Sequence, residues 1–347
     1  IEKLVREAGQ KMLKARPGEE NIHKKEGLAN FCTDYDTAIQ RFLIKGLGEI
    51  LPGAAFFGEE DTEGNAGADA EGEFTFYIDP IDGTTNFMFD YHHSCISVGL
   101  AHGEQMIAGF VYHPYVDDMY VAVRGHGSYL NGKRLQMADK PVEEGIVEFG
   151  CARYNEAGID WLFRVVKEMF QNSLSIRCGG SAALGLCRGA SGSNTVYLEL
   201  KLQPYDYAAA SVILEEAGGR ITQIDGSPIT LHEGCSIIGG TPAAWQESKE
   251  AFEKLKEEIA EAEKSEMWIS YADTGNEGRY LYIVKGYGRQ ETTGYSIEVN
   301  ECYETEHTVV VRTTLLGPQK KEKTHKKKTY PYIVIKIPYT DKQIIYE

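Results

Sequence analysis

Asp79-Pro80-Ile81-Asp82-Gly83-Thr84-Thr85-Asn86-Phe87 places two carboxylates three positions apart, at the end of an apolar, strand-like run from Phe74 to Ile78. Proline has no N–H for a ladder and cannot continue an unbroken helix, so the pattern predicts a turn at Pro80. Gly83-Thr84-Thr85 then offers a flexible backbone and hydroxyls at a predicted helix start, where free N–H groups favour a phosphate. Two carboxylates beside a phosphate would repel it unless cations lie between them. Oxygen donors without a neighbouring His or Cys set select a hard ion, and with a phosphate substrate that ion is Mg²⁺. A bare Asp-x-x-Asp is also what an acidic turn capping a helix looks like. The full nine residues, read with Glu59 and Asp206, argue against that reading.

Upstream stands Gly58-Glu59-Glu60. Downstream, Tyr205-Asp206-Tyr207-Ala208-Ala209-Ala210 runs into Glu215-Glu216-Ala217-Gly218-Gly219. In this order and at these separations, the three segments resemble the inositol monophosphatase family of metal-dependent phosphatases. The resemblance covers about residues 1–260. It implies that Glu59, Asp79, Asp82 and Asp206 ligate two or three Mg²⁺ ions and that Ile81 lends its backbone carbonyl. It further implies that Asp36, in Phe31-Cys32-Thr33-Asp34-Tyr35-Asp36, works with Thr84 to orient and deprotonate the attacking water. On sequence alone Asp34 competes with Asp36 for that place; its other reading is a solvated loop acid. Converging acids of this number cannot all stay ionised at neutral pH without bound cations, so the set implies metal occupancy.

On the substrate side, Cys178-Gly179-Gly180-Ser181-Ala182-Ala183-Leu184 resembles the family's Gly-Ser/Thr-Ala-Ala segment, whose small residues let backbone N–H groups approach a sugar or inositol ring. Its other reading is a helix start packed tightly against a neighbour. The resemblance implies substrate contacts from Gly83, Thr84, Gly180, Ser181, Ala182 and Asp206. Glu199, seven residues before Asp206, matches a carboxylate that hydrogen-bonds ring hydroxyls. Tyr205 stands where the family usually has Trp, and Gln203 stands where relatives carry other polar residues, which leaves selectivity among sugar phosphates open. Lys25 belongs either to a substrate-side loop or to solvent.

The 347 residues are long enough for two domains, and 42% hydrophobic content can build a sizeable core. Cys32, Cys95, Cys151, Cys178, Cys187, Cys235 and Cys302 are scattered without C-x-x-C pairing. They read as free thiols, mostly in the core of an enzyme from a reducing compartment, here the cytoplasm. No apolar run approaches the ~18 residues of a membrane span. Leu4 to Gly9 looks like the middle of a helix behind a non-Met first residue, so the expected true start lies further upstream. A net charge of −16 argues against binding nucleic acid through its phosphates. Residues 266–347 carry about +1 and the first 265 about −17, so an anionic domain acting on an anionic substrate again calls for metal.

Lys3–Lys14 and Asp36–Ile50 predict amphipathic helices. Gly53–Phe57 and Phe74–Ile78 predict strands around a glycine- and acid-rich loop, Gly64–Gly72. His93–Leu100, Met106–His113 and Asp118–Arg124 predict a meander, with Asn131-Gly132 as a turn. Asp206 opens a helix closed by Gly218-Gly219, before strand Arg220–Ile224 and turn Asp225-Gly226. The alternation of helix and strand periods indicates an α/β domain, which the resemblance sharpens to the layered α-β-α-β-α sandwich of the sugar phosphatases. A Glu/Lys-rich helix from about Ala243 to Glu263 closes a catalytic domain of residues 1–264.

Residues 267–347 change character. They hold ten tyrosines and alternate like strands in Thr308–Thr314 and Tyr332–Pro338, predicting a small, mainly β module. Tyr287 to Val299 and Tyr330 to Ile335 resemble the C-terminal domain of PrcB-type protease-complex subunits. The module offers no nucleophile, base and orienting group together, so it reads as an accessory with a protein partner. The basic run Lys320–Lys328 reads as a solvated hairpin tip, or as a site for an anionic partner. For the whole chain the residues support a Mg²⁺-dependent phosphomonoesterase acting on inositol monophosphate or a similar sugar phosphate. The resemblance adds Li⁺ sensitivity and a homodimer. Fructose 1,6-bisphosphate or a 3′-phosphonucleotide is the alternative within the same chemistry. A protein-binding subunit on an inactive phosphatase scaffold is the alternative of another class; it predicts lost metal ligands, and none is lost.

Overall fold

The computed structural model describes residues 1–347 except 16–17, 19–20, 26–30, 63, 66–71, 152–155, 265–266, 274–279, 319–322, 341 and 347. The predicted loop Gly64–Gly72 and the basic run Lys320–Lys328 lie partly outside the described residues. The chain divides into two compact units, Ile1–Glu253 and Lys254–Glu347.

The first unit opens with α1 (Glu2–Lys14), the pair β1 (Ile22–Lys24) and β2 (Phe31–Thr33), and α2 (Asp34–Ile50). A seven-stranded sheet follows from β3 (Ala55–Gly58), β4 (Phe74–Asp82), β5 (Cys95–His102), β6 (Gln105–His113), β7 (Asp118–Val123), β8 (Gly127–Leu130) and β9 (Lys133–Arg134), in that spatial order. The short α3 (Thr84–Met88) interrupts it after β4. A five-stranded sheet then comes from β10 (Ile146–Phe149), β11 (Ser175–Cys178), β12 (Val196–Leu202), β13 (Arg220–Thr222) and β14 (Cys235–Gly240), ordered β11-β10-β12-β14-β13. Its helices are α4 (Glu156–Gln171), α5 (Ala182–Ala190), α6 (Pro204–Glu216) and α7 (Pro242–Lys264).

Strand β4 is buried on both faces, which explains its nearly continuous apolar reading. Phe76 and Ile78 join Phe56 in a core shared with Val5, Met12, Leu43 and Leu47 of α1 and α2. Phe57 and Tyr77 face the opposite core, built around α5 and α6. The parallel register Phe56↔Phe76 and Phe57↔Tyr77 stacks like on like, with ring centroids 5.6 and 5.5 Å apart. Helix α6 is buried all round, and a Cβ at Gly109 on β6 would stand 2.1 Å from the Ala209 carbonyl oxygen. Only glycine permits that approach. Trp161 of α4 meets Phe252 of α7 outside the second sheet. The layers are therefore α1/α2, seven strands, α5/α6, five strands, α4/α7: an α-β-α-β-α sandwich.

The second unit continues with β15 (Met267–Asp273), β16 (Tyr280–Gly286), β17 (Ser296–Glu304), β18 (Thr308–Leu316), β19 (Tyr332–Pro338) and β20 (Gln343–Tyr346). They form two three-stranded sheets, β15-β16-β19 and β17-β18-β20. Leu281, Ile283, Val309 and Val311 make its core, with Ile335, Ile337, Ile344 and Tyr346 packed against them. This small, mainly β domain agrees with the sequence reading.

Several boundaries differ from expectation. Strand β4 does not end at Ile78: it runs through Pro80 to Asp82, absorbing the proline in a bulge against β5 between Asp79 and Asp82. Helix α2 starts at Asp34, because Thr33 and Asp36 form a capping box. Helix α6 starts at Pro204, with Asp206 in its first turn. The thiols are less buried than predicted: Cys95, Cys187 and Cys235 are buried, Cys32 is half-buried, and Cys151, Cys178 and Cys302 are exposed.

Candidate active site

The bulge in β4 turns both carboxylates of the nine-residue stretch to the same end of the sheet. Asp79 and Asp82 are 3% and 6% exposed, deep enough that neither is solvated as an ordinary surface acid. Asp79 Oδ1 accepts from the Ile81 N–H at 3.0 Å. The chain then turns at Gly83, whose φ of 90° lies in the left-handed region, where a side chain would be strained. That turn aims the Thr84 hydroxyl back at the strand, 3.2 Å from the Ile81 carbonyl oxygen and 3.4 Å from Asp36 Oδ1.

Asp36 is fully buried, and its two oxygens are differently engaged. The Thr33 hydroxyl and N–H both donate to Oδ2, leaving Oδ1 toward Thr84. Asp34, the rival on sequence, is exposed and bonded to Asn21 at 3.0 Å and His23 at 2.8 Å. The N-terminal cap thus separates the two acids: one holds the loop, the other faces Thr84.

Glu59 follows β3, its N–H donating to the Ile78 carbonyl at 3.1 Å. Glu60 beside it was not singled out from the sequence, yet Asp36, Glu59 and Glu60 each offer an oxygen within 4.8 Å of the others. Gln40 of α2 fixes Glu60 by accepting from its N–H at 2.9 Å and donating to its carbonyl at 2.6 Å. The Lys25 ammonium bonds Glu59 at 2.8 Å and Glu60 at 2.7 Å. Lys25 is therefore neither solvated nor remote from the acids. Burial works against its charge, but the two glutamates raise its pKa overall.

The far wall comes from the second sheet. Asp82 accepts from the Ser181 hydroxyl at 2.6 Å and from the N–H groups of Ala182 and Ala183 at 3.3 and 2.8 Å. The segment expected to turn its N–H groups to a ring instead turns them to a carboxylate at the N-terminus of α5. Gly180 stays at the turn, its carbonyl 3.0 Å from the point a Cβ on Gly83 would occupy. Asp206 Oδ2 accepts from the Gln203 N–H at 2.6 Å, so the capping box of α6 orients it. Glu199 is buried, takes the Tyr197 hydroxyl at 2.6 Å, and lies within electrostatic reach of Asp206.

Electrostatics tests whether these residues suit a metal. Burial raises the pKa of Asp36 to about 7, with Glu59 adding to it. Burial likewise raises Asp79, reinforced by Glu59, Asp82, Asp206 and Asp36. Asp82 and Asp206 are raised by burial too, against the hydrogen bonds that favour their charge. A protein gains nothing by burying this many carboxylates beside one another unless a cation joins them. The Lys25 ammonium, lodged between Glu59 and Glu60, stands where such a charge belongs. The donor set is all oxygen, as a hard divalent ion requires. The residues fit a metal centre.

Known proteins agree. Residues 1–262 match the inositol monophosphatase family and residues 281–338 match the PrcB C-terminal family. The inositol-1-monophosphatase of Bacillus subtilis (strain 168) is 32% identical over 245 residues, 70% of this chain and 90% of that protein. A protein of Aquifex aeolicus (strain VF5) named fructose-1,6-bisphosphatase/inositol-1-monophosphatase is 33% identical over 248 residues, again 70% and 90% of the two chains. The solved structure of the Thermotoga maritima IMPase superposes with a TM-score of 0.67 at 25% identity, covering 74% of this chain and 96% of that one. Matching over three quarters of its length and carrying the acids in family order, the chain belongs to the inositol monophosphatase family of metal-dependent phosphatases.

Proposed function

We propose that the protein is a Mg²⁺-dependent phosphomonoesterase that converts inositol monophosphate, or a closely similar sugar phosphate, to the alcohol and inorganic phosphate. The observation that carries this reading is the convergence of Asp36, Glu59 and Glu60 within 4.8 Å beside the buried Asp79 and Asp82. Glu59, Asp79, Asp82, Asp206 and the Ile81 carbonyl would hold two or three Mg²⁺ ions. When bound, such ions supply the positive charge that draws in a phosphate and lowers the pKa of water.

The chain's own groups do the rest. Asp36 Oδ1 and the Thr84 hydroxyl form the pair that orients the attacking water and accepts its proton. Gly83 and Thr84 flank the phosphate, with Gly180 across from them. Ser181 and Ala182 serve through Asp82, by fixing its carboxylate. Glu199 faces the alcohol part of the substrate, where a carboxylate can accept hydrogen bonds from ring hydroxyls. The same reading makes the enzyme Li⁺-sensitive, homodimeric and cytoplasmic. No described helix is long and apolar enough to cross a membrane. The C-terminal module would bind a protein partner, without contributing to turnover.

The name of the Aquifex relative supports fructose 1,6-bisphosphate as a second substrate. Phosphate release from myo-inositol 1-phosphate, fructose 1,6-bisphosphate and a 3′-phosphonucleotide, with Mg²⁺ and with chelator, tests the reading. Mg²⁺-dependent turnover fastest on the inositol ester is expected. Preference for either other ester would move the substrate, and turnover in chelator would overturn the metal requirement.

A further inference from the structure

Beside Gly179 lies a buried polar group that the proposed chemistry does not use. His93 is 7% exposed and Glu148 is 1% exposed. Both crowd the Gly179 backbone: a Cβ there would stand 2.4 Å from Glu148 Oε1 and 2.9 Å from His93 Nε2. Arg188, in the last turn of α5, ties the two together. One guanidinium nitrogen donates to His93 Nδ1 at 3.2 Å and another to Glu148 Oε1 at 3.4 Å. Asn194 donates to the second Glu148 oxygen at 3.0 Å.

A guanidinium can only donate, so Nδ1 accepts and the neutral ring carries its hydrogen on Nε2. Burial, with Arg188 and His113 nearby, holds that pKa down to about 4, so the ring is neutral at working pH. The Nε2 hydrogen is buried without a protein partner, next to Gly179. Proteins rarely keep such a group without a use. A further hold comes from Asn86, whose side chain donates to the carbonyls of His93 and Gly179 at 2.7 and 2.8 Å. The other half of the segment is fixed separately. Ser181, Ala182 and Ala183 bond Asp82, and Ser181 caps the Leu184 N–H.

We infer that Arg188, His93 and Glu148, with Asn86, are positioning residues that set how far Gly179-Gly180 stands from Gly83, and so tune recognition of the alcohol part of the substrate. The inference rests on the proposed function, because it takes the Gly180 side of the site to face a ring rather than the phosphate. The Asp82 side, braced independently, is left unchanged when this set is loosened.

Arg188→Met keeps the aliphatic stem and removes both bonds, and His93→Phe removes both ring nitrogens. Each variant is compared with wild type on myo-inositol 1-phosphate and on p-nitrophenyl phosphate, which has no ring hydroxyls. Loss of one brace is expected to raise KM for the inositol ester about five- to tenfold. The kcat on that ester, and kcat/KM on the aryl ester, should stay within about twofold, because only ground-state contacts to the alcohol are lost. Equal losses on both esters would mean general damage to the fold, and no change on either would mean no positioning role; each result overturns the inference. If Arg188→Met does not fold, His93→Phe decides alone. If wild type ignores the inositol ester but hydrolyses another, the substrate reading is what fails, and the same comparison is made with that ester.

Discussion

Ser181 donates its hydroxyl hydrogen to Asp82 at 2.6 Å, across 99 positions of sequence. The bond joins the first sheet's strand end to the first turn of α5, so the two sheets of the sandwich share one carboxylate. Partners of this kind orient a ligating oxygen, and their loss commonly weakens metal binding about 10- to 100-fold. Ser181→Ala should therefore raise the Mg²⁺ concentration for half-maximal activity by about that factor. Mn²⁺ titration calorimetry should show the same weakening. Unchanged affinity would mean that the Ala182 and Ala183 N–H groups suffice.

Thr84 stands between the Asp36 carboxylate and the Ile81 carbonyl, close to both. If it helps orient the attacking water, Thr84→Ala should lower kcat by about 10²-fold or more, the scale of general-base assistance. Stopped-flow or steady-state phosphate release measures this directly. A variant with wild-type kcat would assign that work to another group.

Glu199 gives a pH signature separable from turnover. Burial raises its folded pKa to about 7, above the ordinary value of 4.5. An acid raised on folding contributes most below its unfolded pKa and loses that contribution as pH climbs through the folded one. Metal-free wild type should therefore lose stability relative to Glu199→Gln between about pH 5 and pH 8, by on the order of 3 kcal/mol. Urea midpoints at the two pH values check it. Parallel curves would mean that Glu199 is as well solvated folded as unfolded.

The catalytic residues proposed here all precede α7, whose helix runs to Lys264. A chain ending at Lys264 should fold and keep its phosphatase activity, with circular dichroism and phosphate release as the two readouts. A folded but inactive product would show that the β module completes the active site or the dimer.

The acids were legible because their chemistry is local. Asp79, Asp82 and the Gly83 turn fall within one short stretch, and a turn that needs positive φ narrows what can stand there. Glu60 was not, because its role depends on Gln40 of α2 holding it from a distance of 20 positions. The same holds for Ser181, Ala182 and Ala183. A Gly-Ser-Ala run signals close approach but not toward what, and the neighbour proved to be Asp82. Pro80 misled for a different reason: a bulge lets a strand carry a residue that cannot donate. In the second unit, β18 and β19 were visible by alternation. β20 was not, because it is four residues long and pairs in parallel with β18 across a long stretch of chain.

The most direct measurement of the central claim is phosphate release from myo-inositol 1-phosphate by chelator-stripped protein as Mg²⁺ is returned. Wild type and a folded Asp79→Asn variant should be run side by side. Buried acids that serve as a metal centre predict no release from stripped wild type, full recovery with Mg²⁺, and none from Asp79→Asn at any Mg²⁺ concentration. Release by the stripped enzyme, or wild-type turnover by Asp79→Asn, would contradict it.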